Sequence, residues 1–180
     1  MQTVKIVVTG PFSAGKTEFI RSVSEIDVVS TERKISAEAE KIKESTTVAM
    51  DFGRISIDED LILYLFGTPG QRRFDFMWEI LSEGMLGFIV MVDSTRPETF
   101  REARSILETF RAYAPTPYVV AANKQDVNDA WDIDDMRVAL RLDPKVKFLP
   151  CVAHEKETVK KVLLELLYTI LAEMETNNQI

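Results

Sequence analysis

Eight residues near the start of the chain have the types and spacing needed to hold phosphate. The segment GPFSAGKT, residues 10–17, follows a short β-branched run and precedes apolar residues at helical spacing. Glycines permit a tight turn whose backbone N–H groups face one point, and a helix that begins there adds positive potential. In such a loop a lysine reaches the outer phosphate oxygens and a threonine hydroxyl ligates Mg²⁺. We therefore predict that this loop binds the phosphates of a nucleotide together with Mg²⁺.

Side chains and backbone N–H groups of this loop are predicted to contact different parts of the nucleotide. We expect the Lys16 ammonium to reach the β- and γ-phosphate oxygens and the Thr17 hydroxyl to ligate Mg²⁺. Backbone N–H groups are predicted to contact the α- and β-phosphates at Ser13, Ala14, Gly15, Lys16 and Thr17.

A second group of polar residues could recognise a base. Asn123, Lys124 and Asp126 come directly after the apolar run YVVAA, which is predicted to be a strand of the same sheet. A carboxylate at Asp126 can accept from the N1–H and the 2-amino group of guanine, a pair of donors that adenine does not present. The Lys124 stem would pack on the ring, and Asn123 would tie this loop to the phosphate loop. Alone this segment reads as a common polar turn, but downstream of a phosphate loop it predicts a guanine site.

The elements that must position these residues alternate between strands and helices. Apolar runs that are predicted to be strands lie at residues 4–9, 46–57, 61–68, 85–95, 118–122 and 146–153, and helical spacing starts near residues 16, 72, 97, 132 and 155. The acidic turn at residues 58–60 joins two of the strands as a hairpin. This order predicts an α/β P-loop NTPase fold, with a mostly parallel six-stranded sheet, one antiparallel hairpin edge strand and helices on both faces. A polar loop of about twenty residues before the hairpin is typical of a lid or switch.

Composition limits the function classes. The chain has 180 residues and a net charge of −7, which argues against broad binding to nucleic acid or to anionic lipid. One cysteine, Cys151, cannot form an internal disulfide, so a reducing compartment and a buried thiol are expected. No apolar run approaches the ~18 residues that span a bilayer. We expect one domain over residues 1–180 with a short polar tail at 173–180, a cytoplasmic location and no direct membrane anchor.

The two motifs, their order and the chain length resemble the Ras-like small GTPases over residues 3–172. The resemblance implies that Thr47 is the switch I threonine, whose hydroxyl meets Mg²⁺, with Thr46 as the neighbouring alternative. It also implies that the Gly70 N–H contacts the γ-phosphate and that Gln71 orients the attacking water. Catalysis is then assigned to Gln71, Lys16 and Thr47, with Mg²⁺ as the cofactor.

Three departures from the Ras pattern narrow the resemblance to prokaryotic GTPases of the gliding-motility MglA kind and the related Rup group. Gly67 stands where switch II normally begins with an acidic residue, so the outer Mg²⁺ contact must come from elsewhere or be lost. Phe12 occupies a position that is glycine in Ras, where bulk could crowd Gln71 and an incoming arginine. Val152, Ala153 and His154 stand in the base-contacting loop in place of the usual Ser-Ala-Lys, which weakens the resemblance there but leaves the Ala153 N–H to meet guanine O6.

The resemblance implies a GTPase with a low intrinsic rate, and a protein regulator or effector at the switches. In the gliding-motility relatives that regulator has the roadblock fold. The alternative is a pseudo-GTPase, a binding module that holds guanine nucleotide but scarcely hydrolyses GTP, which Gly67 and Phe12 favour. A P-loop nucleotide kinase is disfavoured because Asp126 reads guanine and the sequence shows no arginine-rich lid.

Several residues near these motifs have plainer interpretations. Arg72 and Arg73 are an exposed pair at a helix start, an interface contact or an arginine supplied in cis. His154, the only histidine, is expected on a loop surface. The aromatic segment FDFMWEIL, residues 74–81, is expected to be mostly buried, although aromatic and Met side chains there could also contact a partner.

Overall fold

The computed structural model describes residues 2–30, 50–70 and 72–177. Its strands begin and end as follows: β1 Gln2–Thr9, β2 Val29–Ser30, β3 Asp51–Ser56, β4 Leu61–Gly67, β5 Gly87–Asp93, β6 Tyr118–Asn123 and β7 Phe148–Pro150. These are the β-branched and apolar runs of the sequence, whose side chains suit a pleated surface that is buried on both faces.

The strands form one sheet in the order β2-β3-β4-β1-β5-β6-β7. Pairing is parallel from β4 through β1, β5 and β6 to β7, and β3 is antiparallel to β4. The predicted mostly parallel α/β fold is therefore confirmed. The two-residue strand β2 pairs antiparallel with β3 at the edge of the sheet. It was not predicted, because two residues are too few to show a strand pattern.

The helices cover both faces of this sheet. Their bounds are α1 Lys16–Val23, α2 Phe76–Ser82, α3 Phe100–Tyr113, α4 Ile133–Ala139 and α5 Lys156–Asn177. Single 3-10 turns precede α2 at Arg72–Phe74 and α3 at Pro97–Thr99, so each of these two helices begins later than its apolar spacing predicts. None of the helices in the described ranges combines the length and the apolar character needed to cross a membrane.

Two apolar layers hold the helices to the sheet. On one face Phe19 of α1 and Leu163 of α5 pack on the strands, and on the other face Trp78, Phe110 and Met136 bring α2, α3 and α4 together. The carboxyl ends of the parallel strands are consequently fixed from both sides. Strand β1 lies between β4 and β5, where the strand order reverses, and α/β sheets bind ligands at such a point.

Candidate functional site

The phosphate loop leaves β1 at this reversal of strand order. Ser13 and Gly15 both have positive φ, 63° and 102°, so the chain turns sharply before α1 begins at Lys16. A Cβ atom at Gly15 would lie 2.2 Å from the Asn123 Nδ2 atom, and only glycine fits this approach. The Ala14 N–H donates to the Pro11 carbonyl at 3.1 Å, which means that this predicted phosphate donor is used within the loop.

Positive charge is concentrated at the start of α1. Lys16 is 7% exposed, and its ammonium donates to the carbonyl oxygens of Gly10 and Pro11 at 2.7 and 2.8 Å. The backbone N–H groups of the first helical turn add their partial charge at the same place. A helix N-terminus with an adjacent ammonium is suited to bind an anion.

The Asn123 amide joins the predicted base loop to the phosphate loop. Its Nδ2 donates to the Ala14 carbonyl oxygen at 2.8 Å, and its Oδ1 accepts from the Ala153 N–H at 2.9 Å. Asn123 is 3% exposed, so both bonds are shielded from water. The predicted tie between the two loops is present, and it includes the third loop as well.

The hydrogen bond from the Ala153 N–H to Asn123 Oδ1 affects the predicted contact between that N–H and guanine. Because this N–H donates to Asn123 in the structure, guanine O6 would have to share or replace that bond. The neighbouring Val152 is held through its backbone, since its N–H and its carbonyl oxygen both bond to the Thr158 hydroxyl at 3.0 and 2.8 Å.

Lys124 is positioned by a carboxylate that the sequence analysis did not single out. Its ammonium lies 2.6 Å from Asp93 Oδ2, and the Asp93 side chain at the end of β5 is 3% exposed. Burial alone would raise the pKa of Asp93, but hydrogen bonds from Lys124 and Thr95 outweigh it and lower that pKa below its usual value. Lys124 also has a positive φ of 66°, and Asp93 anchors this strained turn.

The predicted base-reading carboxylate is accessible. Asp126 lies on the exposed turn after β6, and its Oδ2 is 3.8 Å from His154 Nε2. His154 is 63% exposed, in agreement with its predicted place on a loop surface. Gln125 turns the other way and donates to the Ser94 hydroxyl at 2.7 Å.

Just before Val152 and Ala153, the Cys151 side chain is fully buried, as predicted, and burial raises the pKa of its thiol to about 11. The thiol is therefore neutral at physiological pH and belongs to the core.

On the other side of the phosphate loop, Thr17 meets a second unpredicted carboxylate. The Thr17 hydroxyl donates to Asp51 Oδ2 at 2.5 Å, and Asp51 is 6% exposed at the start of β3. Both line a cleft of about 240 Å³. Other residues that line it are Phe12, Ser13, Gly15, Lys16 and Thr68. Hydroxyl and carboxylate oxygens are the ligand types that Mg²⁺ prefers, so these residues fit the predicted metal.

The predicted γ-phosphate contact, Gly70, lies against the phosphate loop. A Cβ atom at Gly70 would fall 2.7 Å from Phe12 Cα and 2.9 Å from Lys16 Nζ. Just before it, Thr68 bonds to the Thr9 hydroxyl at 2.9 Å, and the Pro69 carbonyl accepts from the Trp78 indole. Glycine is thus required where switch II passes over the loop, and Phe12 projects into solvent beside it with 51% exposure.

Three predicted site residues, Thr46, Thr47 and Gln71, lie outside the described residues. Beyond Gln71 the aromatic segment divides between core and surface: Phe74 and Trp78 are buried, whereas Phe76 and Ile80 are 54% and 55% exposed. The structure thus brings the phosphate loop, Gly70 and the base loop to one edge of the sheet.

Two functional candidates, Asp51 and Asp93, were missed. Asp93 lies near the carboxyl end of a predicted strand beside the base loop. This position could have indicated Asp93 as a partner for Lys124. Asp51 could have been found from the hairpin, because it pairs with Gly67 across the two antiparallel strands.

Comparison with known proteins agrees with this geometry. Residues 8–173 match the family described as "Conserved hypothetical ATP binding protein". The uncharacterized protein MJ1339 of Methanocaldococcus jannaschii is 30% identical over 89% of this chain and 95% of its own length.

Small GTPases are more distant relatives. Human ADP-ribosylation factor-related protein 1 is 28% identical over 74% of this chain and 65% of its own length. Rab-8A of Pongo abelii is 26% identical over 72% of this chain and 66% of its own. These matches support a Ras-like relationship but do not extend to the narrower MglA and Rup resemblance. The chain therefore belongs to the family described as conserved hypothetical ATP binding proteins and is related to the Ras-like small GTPases.

Proposed function

We propose that this protein is a molecular switch that binds GTP and GDP with Mg²⁺ and hydrolyses GTP slowly in the cytoplasm. The observation that carries the proposal is the Asn123 amide, which bonds to the Ala14 carbonyl oxygen at 2.8 Å. This bond holds the predicted phosphate loop and the predicted base loop side by side, as binding of one nucleotide by both loops requires. A polar turn without a ligand role would not need to reach the phosphate loop.

Guanine is the base that the exposed Asp126 carboxylate favours. The family description names ATP, but adenine presents no N1–H and no 2-amino group to a carboxylate at this position. Lys124, held by Asp93, would cover the face of the base with its stem. We infer guanine specificity from these side chains.

In the proposed reaction, water attacks the γ-phosphorus and the bond to the bridging β–γ oxygen breaks, giving GDP and phosphate. Gln71 orients the water, and Lys16 and the Gly70 N–H stabilise the charge on the transferring group. The Thr17 and Thr47 hydroxyls would hold Mg²⁺, which would supply positive charge against the developing negative charge of the phosphates.

A partner protein is expected to accelerate this reaction at the switch II helix. Phe76 and Ile80 are one helical turn apart on α2 and more than half exposed, and aromatic side chains are enriched at interface centres. The narrower MglA and Rup resemblance, which rests on Gly67 and Phe12, suggests a roadblock-fold regulator.

The second candidate is a pseudo-GTPase, which Phe12 favours. Its backbone lies against Gly70 and its ring stands at the mouth of the cleft, where it would restrict an incoming catalytic group. The two candidates share nucleotide binding and differ only in turnover.

Base specificity is tested with fluorescent mant-nucleotides. Wild type should bind mant-GDP at least about 100-fold more tightly than mant-ADP, since two hydrogen bonds to a charged group contribute about 1.5–3 kcal/mol each. Asp126→Asn should shift the preference from GDP to XDP, while Asp129→Asn, an exposed acid three residues on, should leave it unchanged. Equal binding of mant-GDP and mant-ADP by wild type would remove guanine specificity.

Turnover is tested by single-turnover hydrolysis of bound GTP, with and without candidate roadblock partners. Gln71→Ala should slow hydrolysis by about 100-fold or more if Gln71 positions the water. Equal, very slow rates for wild type and Gln71→Ala under every condition would establish the pseudo-GTPase instead.

A further inference from the structure

Gly67 stands where switch II normally begins with an acidic residue, but another acidic side chain occupies the same space. Asp51 of β3 pairs with Gly67 of β4 in the antiparallel register. A Cβ atom at Gly67 would lie 3.0 Å from Asp51 Cβ and 3.2 Å from Asp51 Oδ2. The Asp51 side chain therefore fills the space that a side chain at position 67 would enter.

The contact between Asp51 and Thr17 leaves the hydroxyl able to bind a metal. A threonine hydroxyl has one proton and two acceptor lone pairs. Its proton is directed to Asp51 Oδ2 at 2.5 Å, so the lone pairs remain available on the phosphate-loop side. A carboxylate that accepts from a ligand in this way orients it and increases its basicity.

The second carboxylate oxygen has a different environment. Asp51 Oδ1 is buried and has no hydrogen-bond partner within the described part of the chain. A buried carboxylate oxygen without a donor or cation is costly, because desolvation disfavours the charged form. Asp51 is one of the residues that line the phosphate cleft, so a hydrated cation bound in that cleft would lie close to this carboxylate.

From these three observations we propose that Asp51 is the carboxylate of the Mg²⁺ site: Oδ2 holds the Thr17 hydroxyl and Oδ1 accepts from metal-bound water. The acid has moved across the hairpin, from the end of β4 to the start of β3. This inference rests on the proposed function, since it assigns a residue to the Mg²⁺ that accompanies the nucleotide. Asp51 is a positioning residue rather than a catalytic one.

The test measures how tightly Mg²⁺ retains a bound nucleotide, which is independent of hydrolysis. Release of mant-GDP is followed at a series of Mg²⁺ concentrations and in EDTA. For Asp51→Asn we expect the Mg²⁺ concentration that half-suppresses release to rise about 10–100-fold, the usual effect of removing such a partner of a metal ligand. In EDTA the two proteins should release mant-GDP at equal rates. Glu59→Gln, which removes an exposed charge from the same hairpin, is the matched control.

A charge transfer across the hairpin tests the assignment further. Asp51→Gly combined with Gly67→Asp restores one carboxylate, now on β4. Removing the Asp51 side chain clears two of the three close contacts at position 67, and the third is the flexible end of Ile20. We expect this double variant to recover Mg²⁺ dependence to within about tenfold of wild type, whereas Asp51→Gly alone should not.

The outcomes separate the possibilities. Wild-type Mg²⁺ dependence in Asp51→Asn, or faster release by the same factor in Mg²⁺ and in EDTA, would overturn the proposal and leave a structural role for Asp51. If Asp51→Asn does not fold by circular dichroism, the double variant decides by the same measurement. Wild type that binds mant-GDP without any Mg²⁺ dependence overturns this inference but not guanine binding. Wild type that binds no mant-GDP overturns the proposed function itself.

Discussion

The two sides of the phosphate loop are built differently. The base side comprises Asp93, Asn123, Lys124, Asp126 and Ala153, and it follows the Ras-like motif, with the Asn123 and Lys124 side chains hydrogen-bonded to partners. The switch side comprises Phe12, Asp51, Gly67, Thr68 and Gly70, and it departs from that motif at Phe12 and Gly67. In the proposed function, the base side would recognise its ligand through particular side chains with fixed partners. The switch side would need only a charge at one place, which we propose that either strand of the hairpin can supply.

The largest difference between the two sides should appear in stability. Asn123→Ala leaves the Ala14 carbonyl and the Ala153 N–H buried without their partner. Each unsatisfied group costs about 1–3 kcal/mol, so the free energy of unfolding should fall by about 3 kcal/mol. Urea denaturation of the nucleotide-free protein measures this change.

Thr68→Val on the switch side is the matched comparison. It removes the hydroxyl that donates to the Thr9 oxygen, and because this costs one neutral hydrogen bond, a loss of about 1 kcal/mol is expected. Equal losses of unfolding free energy for Asn123→Ala and Thr68→Val would show that hydrogen bonds stabilise the base side no more than the switch side.

An intermediate effect is expected from Phe12, on turnover rather than on binding. Phe12→Ala removes a half-exposed ring at the mouth of the cleft and keeps the backbone that Gly70 contacts. Partner-stimulated hydrolysis of GTP should rise about tenfold through better approach of the catalytic groups, with mant-GDP affinity unchanged. Phe76→Ala, which removes an equally exposed ring from α2, should instead weaken stimulation by the partner. If Phe12→Ala hydrolyses GTP no faster than wild type in the presence of the partner, Phe12 does not obstruct the catalytic groups.

The smallest effect concerns pH and the base side. The pKa of Asp93 is lower in the folded protein than in the unfolded chain, so the pair with Lys124 stabilises the fold above the unfolded value near 4. That contribution is lost as pH falls through the folded pKa. It should amount to less than about 1 kcal/mol, because Lys124 is partly exposed. Asp93→Asn should lower the unfolding free energy at pH 7, and its difference from wild type should shrink as pH falls below the unfolded value; a difference that does not change with pH would have another cause.

Much of the base side and of the fold could be predicted from sequence because both depend on local patterns. Buried parallel strands are continuous apolar runs, and polar residues that follow them must meet at one edge of the sheet. The role of Asn123 in tying two loops together could therefore be predicted from sequence alone. The sites of Thr47 and Gln71 stay predictions.

The switch side was harder to predict because its key contact is set by strand register. Glycine at position 67 indicated a missing acid, yet the replacement is sixteen residues earlier (67 − 51 = 16) and meets it only through antiparallel pairing. The register could have been counted from the hairpin centre, since Asp51 and Gly67 are each eight residues from Glu59 (59 − 51 and 67 − 59). The bond between Ala153 and Asn123 had no such signal, because backbone donors look alike in sequence.

The Asn123 amide also has a consequence for the order of folding. It bonds to a carbonyl group 109 residues away in the chain, and neither partner can find the other until β1 and β6 have assembled on either side of β5. Contacts between distant segments form only after the entropy of closing the intervening chain has been overcome. We therefore expect the predicted nucleotide site to be among the last parts of the molecule to form. Because a ligand that binds only the native state stabilises it by mass action, the cellular nucleotide pool would act on the final step of folding.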